Sequence, residues 1–162
     1  MAMFPLLAMD MKMTNQPKIK YHHIREANHS DIPEIIRMGE LFSKEAGLEP
    51  DAETIAETMS GVIDSDDGLL LIGDGAMAIA VAYPLFMNSS IKVVQELAWW
   101  VDVEKRSGGI GRALLNGIQD WAINIGANRI MMIALESSPD HVDRFYRING
   151  FKPMEKTYFK EL

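Results

Sequence analysis

The sequence predicts a single α/β domain, and three observations carry that expectation. Short apolar runs rich in Val, Ile, Leu and Ala alternate with segments whose apolar residues recur at helical spacing. One long run, Ile91 to Val103, passes through a glycine-rich loop straight into such a helical segment. Beyond that helix, Ile130-Met-Met-Ile-Ala-Leu135 is uninterrupted and apolar, as expected of a strand buried on both faces. Strand, helix and strand in that order imply a right-handed parallel crossover at the sheet centre.

Each element has its own signal. Ile24 to Asn28 is a short strand candidate. Asp31-Ile-Pro-Glu34 has the pattern of a capping box with proline in the first turn, and opens a helix with Ile32, Ile35, Ile36, Leu41 and Phe42 on one side, ending near Gly47. Pro50-Asp51 opens a second helix with Ile55, Met59, Val62 and Ile63 inward, and Asp64 to Gly68 forms a turn. Leu69 to Ile72 and Met77 to Tyr83 flank Gly73-Asp-Gly75 as a hairpin, and Asn88-Ser-Ser90 marks a further turn. The helix from Gly109 carries Ile110, Leu114, Ile118, Trp121 and Ile125, with Gly126 placed to end it. Pro139 opens a last helix with Val142, Phe145 and Tyr146 inward and Gly150 ending it, and Phe151 to Phe159 supplies a final strand or hairpin. The order is β-α-α-β-β-β-α-β-α-β.

At 162 residues the chain buries one real core, and 48% hydrophobic with 24% charged residues is the balance of an ordinary globular protein. We expect residues 1–20 to form a poorly ordered tail and residues 21–162 a single domain. The methionine-rich opening has no basic segment and is broken by Pro5 and Asp10, so it does not read as a signal peptide. No stretch of about 18 apolar residues occurs, so no membrane span is expected and a cytoplasmic location follows by default. The absence of cysteine excludes disulfides and thiolate chemistry. His22, His23, His29 and His141 lack metal-ligand spacing, so no metal is expected. A net charge of −7 argues against a nucleic-acid partner.

The chemistry concentrates between residues 96 and 112. Arg106-Ser-Gly-Gly-Ile-Gly111 lets successive backbone N–H groups face one point, and the helix it opens adds the positive end of its dipole. The bland alternative is a glycine-rich turn, but three glycines and a leading arginine are more than a turn needs. We therefore expect a phosphate-bearing ligand there. Neither a P-loop nor a dinucleotide fingerprint fits the spacing. On the preceding strand, period-2 alternation puts Glu96, Ala98, Trp100 and Asp102 on one face and Leu97, Trp99 and Val101 on the other. A carboxylate inside such a strand is costly without a task or a partner. Glu96 is thus either a proton acceptor or a structural group at an exposed edge or beside an arginine.

With that loop between the long strand and its helix, the chain resembles the GNAT family, the GCN5-related N-acetyltransferases. The family's phosphate loop, Arg or Gln, two residues, Gly, one residue, Gly or Ala, is matched by Arg106-Ser107-Gly108-Gly109-Ile110-Gly111. Phe145-Tyr146-Arg147-Ile148-Asn149-Gly150-Phe151 is similar to the family's Tyr…Gly-Phe ending of the last helix. The resemblance implies a mixed central sheet of six to seven strands with four helices on both its faces. It implies an acetyl-CoA-dependent N-acetyltransferase in which a primary amine attacks the thioester directly in a ternary complex. Arg106, Ser107, Gly108, Gly109, Ile110, Gly111 and Arg112 would hold the CoA pyrophosphate, and the backbone at Val101 and Val103 would pair with the pantetheine arm. Glu96, directly or through water, would be the general base, and Tyr146 the general acid for the departing thiolate, its alternative being a core tyrosine. Family members often carry Asn seven and Ala four residues before this Tyr. Here Pro139 and Val142 stand there, leaving Ser137 or Ser138 as substitutes.

An acyl-CoA-binding module without catalysis, serving as a sensor or structural subunit, is the alternative. A toxin on the same fold that modifies acylated tRNA would want a basic surface. The acceptor amine is not written in the sequence. Oligomeric state is also left open, dimers being common among small enzymes of this kind.

Overall fold

The computed structural model describes residues 24–106, 109–136, 138–158 and 160. The expected tail, Ser107, Gly108 and Ser137 lie outside them. The elements are β1 (Ile24–Glu26), α1 (Ile32–Glu45), α2 (Ala52–Ile63), β2 (Gly68–Gly73), β3 (Ala76–Leu85), β4 (Asn88–Val101), α3 (Ile110–Asn124), β5 (Arg129–Met131) and α4 (Asp140–Ile148). One mixed sheet runs β1-β2-β3-β4-β5, antiparallel except for the parallel pair β4–β5 that α3 connects.

Alternation along β2 and β3 sends apolar side chains to both faces, so the sheet is buried between two layers. Leu70, Ile72, Met77, Ile79 and Trp100 pack with Ile35 and Met38 of α1 and Val62 of α2. On the other face Leu69, Leu71, Ala76, Ala78, Ala80 and Val94 pack with Leu114, Ile118, Trp121 and Ala122 of α3. The small alanines of β3 let the broad face of α3 lie close to the sheet. No helix of the described residues is long and apolar enough to cross a membrane.

Several local expectations shift. The capping box sits one turn earlier than read. Asn28 accepts from Ser30 N–H, and Asp31 accepts from Asn28 N–H at 2.9 Å, across a short 3₁₀ turn that leads into α1. Asp31 is drawn there because Arg25 also grips its carboxylate with two 2.7 Å bonds. The β3–β4 turn falls at Phe86-Met87, and Asn88 to Ser90 already belong to β4. Among the described residues the sheet has five strands rather than six or seven, since residues 151–158 form none. The run Ile130–Leu135 was expected to be one strand buried on both faces at the sheet centre. Instead β5 stops at Met131, lies at the edge of the described sheet, and leaves Ile133 44% exposed. Ile130 and Met132 pack against the α3 cluster, and beyond Met131 the chain leaves the described sheet.

The largest correction concerns β4. Ile79 pairs with Ala98 but Ala80 pairs with Glu96, so Leu97 is an extra, bulged residue. A bulge consumes one residue of the alternation, which inverts which face the following side chains take. Glu96 therefore shares the α3 face with Val94, Trp99 and Val101, whereas Ala98 and Trp100 face α1 and α2. The expected grouping of Glu96 with Ala98 and Trp100 is undone by that single residue.

Candidate active site where β4 and β5 diverge

Pairing between β4 and β5 ends at Gln95 and Met131, while β4 runs on to Val101. Past that point the two chains part and form a cleft. The Asp102 N–H donates to the Gly75 carbonyl at 2.8 Å, which frames Val101 and Ala76 as a non-hydrogen-bonded pair. The backbone N–H and C=O of Val101, and by alternation those of Trp99, thus face the cleft and not β3.

Glu96 stands at the root of this cleft, 3% exposed, and accepts a 2.9 Å hydrogen bond from the Ile133 N–H. Burial pushes its pKa up to about 7, against a smaller lowering by that bond. It lies neither at an exposed strand edge nor beside an arginine. Tyr146 reaches the same residue from α4, its hydroxyl donating to the Ile133 carbonyl at 3.1 Å. Burial, and then the charge of Glu96, raise the phenol far above its usual range, so Tyr146 is a protonated donor at neutral pH. The two expected proton-handling groups therefore meet at one residue, whose role no side-chain pattern could have shown because only its backbone acts.

Aromatic packing fixes Tyr146. Its ring lies 6.5 Å from Trp99, 6.1 Å from Phe145 and 5.8 Å from Phe151. Trp99 also meets Phe145 edge-on at 6.0 Å. The end of α4 is closed by a Phe151 N–H to Tyr146 carbonyl bond of 3.1 Å, which holds Phe151 against the tyrosine ring. That explains physically why Gly-Phe follows the helix.

At the cleft's far end, Gly109 caps α3 with φ +80°, a left-handed conformation that glycine alone takes without strain. A Cβ there would meet nothing within 4 Å, and no side chain caps the first turn, so the amides of Ile110, Gly111 and Arg112 face outward as an anion cradle. A Cβ on Gly111 would touch the Trp99 ring at 3.4 Å, so the helix start abuts the aromatic wall around Tyr146. Arg112 donates to Asn149 at 3.0 Å and lies 5.6 Å over the Phe145 ring, tying α3 to the end of α4.

Arg106 and Val103 stand apart from this cradle. Val103 lies exposed in a 3₁₀ turn, Val103–Lys105. The Arg106 guanidinium lies 5.0 Å over Trp100, on the α1 side of the sheet, and reaches Glu45 of α1 at 2.7 Å. Asp102, which the sequence left without a role, accepts from Arg37 of α1 at 2.8 and 3.2 Å and from the Trp100 indole at 2.8 Å. Burial alone would raise Asp102, yet these donors outweigh it and hold its carboxyl below the usual range. Together Arg37 and Arg106 fasten the end of β4 to α1. Ser138 uses its N–H on the Leu135 carbonyl at 2.8 Å. No group of three or more His, Cys, Asp or Glu among the described residues is placed to hold a metal.

Residues 37–151 match the model of the acetyltransferase (GNAT) family. No curated protein matches the chain significantly in sequence. Among solved structures, a transcriptional regulator from Bacillus halodurans C-125 superposes with a TM-score of 0.72 at 18% identity, over 86% of this chain and 98% of that one. A predicted acetyltransferase with acetyl-CoA from Clostridium acetobutylicum gives 0.70 at 15% identity, over 85% and 94%. A ribosomal-protein-alanine N-acetyltransferase from Brucella melitensis biovar Abortus 2308 gives 0.67 at 14%, over 86% and 99%. At such identities the likeness is one of fold.

Proposed function

Because the chain belongs to the acetyltransferase (GNAT) family, we propose that it is an acetyl-CoA-dependent N-acetyltransferase that acts on a primary amine by direct attack. The observation that carries this reading is the meeting of Glu96 and Tyr146 at Ile133, at the root of a cleft whose other end is the open first turn of α3. The residues present suit acetyl-CoA. The Gly109 cradle offers amides to a pyrophosphate, and Ser107, Gly108 and Arg112 belong to the same loop and turn. The cleft-facing backbone of Trp99 and the Val101 N–H offer strand-like partners to a pantetheine arm, the Val101 carbonyl being already held by Arg106 Nε. Val103 continues the same chain past Asp102. Arg106 would act on the loop indirectly, by anchoring its start.

In this reading Glu96 accepts the proton that the amine sheds as nitrogen bonds to the thioester carbonyl carbon. A general base works best with a pKa near the working pH, and burial has brought Glu96 to about 7. A cleft-facing amide of β4 stabilises the oxyanion. Tyr146 then protonates the leaving thiolate. No covalent enzyme intermediate is needed. By the family resemblance, the region of α1 and α2 and the segment after α4 are the places to look for the amine's contacts.

The test is thermal stability with and without acetyl-CoA, followed by a thiol-release assay across primary amines. A ligand at about 100 times its dissociation constant adds roughly 2.7 kcal/mol, so a clear rise in Tm is expected. No rise at millimolar acetyl-CoA overturns the reading. Binding without thiol release across the amines would favour a CoA-binding module that does not catalyse.

A further inference from the structure

Acyl transfer as read above needs two proton movements, one onto Glu96 and one off Tyr146, and the geometry ties them together. The Glu96 carboxylate is bound to the Ile133 N–H at 2.9 Å, and the Tyr146 hydroxyl to the carbonyl of the same residue at 3.1 Å. We propose that the two side chains are a coupled pair positioned by Ile133, in which proton uptake by Glu96 is the event that readies Tyr146 to donate. The inference rests on the acyl-transfer reading of this site, and orders its steps.

The physical cause is an unscreened charge. Glu96 is almost wholly buried, so its negative charge acts on the nearby phenol through protein and not through water. While Glu96 is ionised, a tyrosinate beside it is disfavoured, and the phenol keeps its proton. Once Glu96 is neutral that penalty is gone. The bond from Ile133 also changes, since a charge-assisted hydrogen bond is roughly twice as strong as a neutral one. Ile133 lies just past the end of β5, outside the regular pairing, where a small movement costs no ladder hydrogen bond.

From β3 the residue opposite Glu96 is Ala80. From α3 the first-turn cation Arg112 is held by Asn149 over Phe145. On α4, Arg147 pairs with Asp143 at 2.6 Å, and Asp140, His141 and Arg144 are exposed.

The chemistry balances over one turnover. The amine nitrogen bonds to the carbonyl carbon and its proton passes to Glu96. The carbon–sulfur bond breaks with its electron pair on sulfur, and Tyr146 gives its proton to that sulfur. The proton on Glu96 then returns through solvent to the tyrosinate, so both groups end as they began.

The experiment follows the ring-carbon resonance of Tyr146 by NMR from about pH 5 to about pH 9, assigned by its loss in Tyr146→Phe. In the unmodified protein the resonance should shift with a midpoint near 7, where Glu96 titrates. In Glu96→Gln, which keeps the shape and an acceptor for Ile133, that inflection should vanish. In Glu96→Asp, which keeps the charge, an inflection should persist. A flat Tyr146 resonance in the unmodified protein, or an inflection surviving in Glu96→Gln, overturns the coupling. The measurement needs no substrate, so its failure would leave acyl transfer itself standing. Failure of the acetyl-CoA assays would instead remove the acyl-transfer reading and leave the titration interpretable.

Discussion

The guanidinium of Arg106 turns back from the glycine loop that it opens and donates through Nε to the Val101 carbonyl at 2.9 Å. The first residue of the loop thereby closes on the last residue of β4, and its stacking on Trp100 and pairing with Glu45 hold that closure against α1. The residue that precedes the glycines is thus fixed to the strand end, and if acetyl-CoA binds as proposed, Arg106 anchors the start of the loop against β4.

Arg106→Ala should cost about 1–2 kcal/mol of stability, the sum of a half-exposed ion pair, a cation–π contact and one hydrogen bond to a carbonyl. Acetyl-CoA affinity should fall with it although the guanidinium stacks on Trp100 and pairs with Glu45 on the α1 side of the sheet. Arg106→Lys should restore little, because an ammonium lacks the planar fork that stacks and donates at once. Calorimetric titration of the three proteins with acetyl-CoA checks this; equal affinities would show that the closure is irrelevant to the loop.

Glu96 gives a pH dependence of defined sign. Its pKa is raised from 4.5 to about 7, so between those values the folded state binds more protons than the unfolded one. Stability from this group is therefore undiminished below about pH 4.5, falls as pH rises towards about 7, and is then level, a loss on the order of 3 kcal/mol. Glu96→Gln should consequently raise Tm more at pH 8 than at pH 5. Turnover of the unmodified enzyme should climb through pH 7 as Glu96 loses its proton, and the variant should lack that limb.

Removing the hydroxyl in Tyr146→Phe should reduce turnover by roughly 10²-fold or more, the usual range for a positioned general acid. The lost bond to Ile133 should cost only about 1 kcal/mol of stability, and acetyl-CoA affinity should stay within a few-fold. Steady-state kinetics beside a binding isotherm separate the two. Unchanged turnover would reduce Tyr146 to packing among Trp99, Phe145 and Phe151.

Gly109 and Gly111 should fail differently. Gly109→Ala meets no atom, but its φ of +80° strains any other residue, by about 1 kcal/mol. Gly109→Asp adds a negative charge to the cradle and should abolish acetyl-CoA binding while the fold survives. Gly111→Ala keeps a helical backbone yet touches Trp99, so its effect should be seen in the Trp99 fluorescence and in turnover. Circular dichroism, fluorescence and binding measured together distinguish the three.

Much of the fold was legible because it is local. The stripe of Leu114, Ile118 and Trp121, the hairpin glycines at 73 and 75, and the helix ends at Gly126 and Gly150 are periodicities and backbone preferences written within a few residues. The run Ile130–Leu135 misled for the converse reason. An apolar stretch is the same whether its second face meets another strand or lines a cleft, and only the neighbours decide which.

By itself, then, the sequence determined the order of elements from β1 to α4, the glycine from which α3 starts, and the presence of a carboxylate and a phenol at the two expected positions. What only the tertiary structure decided is that they meet. The bulge at Leu97 has no signature in residue type, because it is a register shift between β3 and β4, and without it Glu96 would face α1 and α2. The joining residue, Ile133, contributes through N–H and C=O groups that every residue but proline possesses. Backbone placement is a property of the assembled sheet and helix, and no side-chain pattern encodes it.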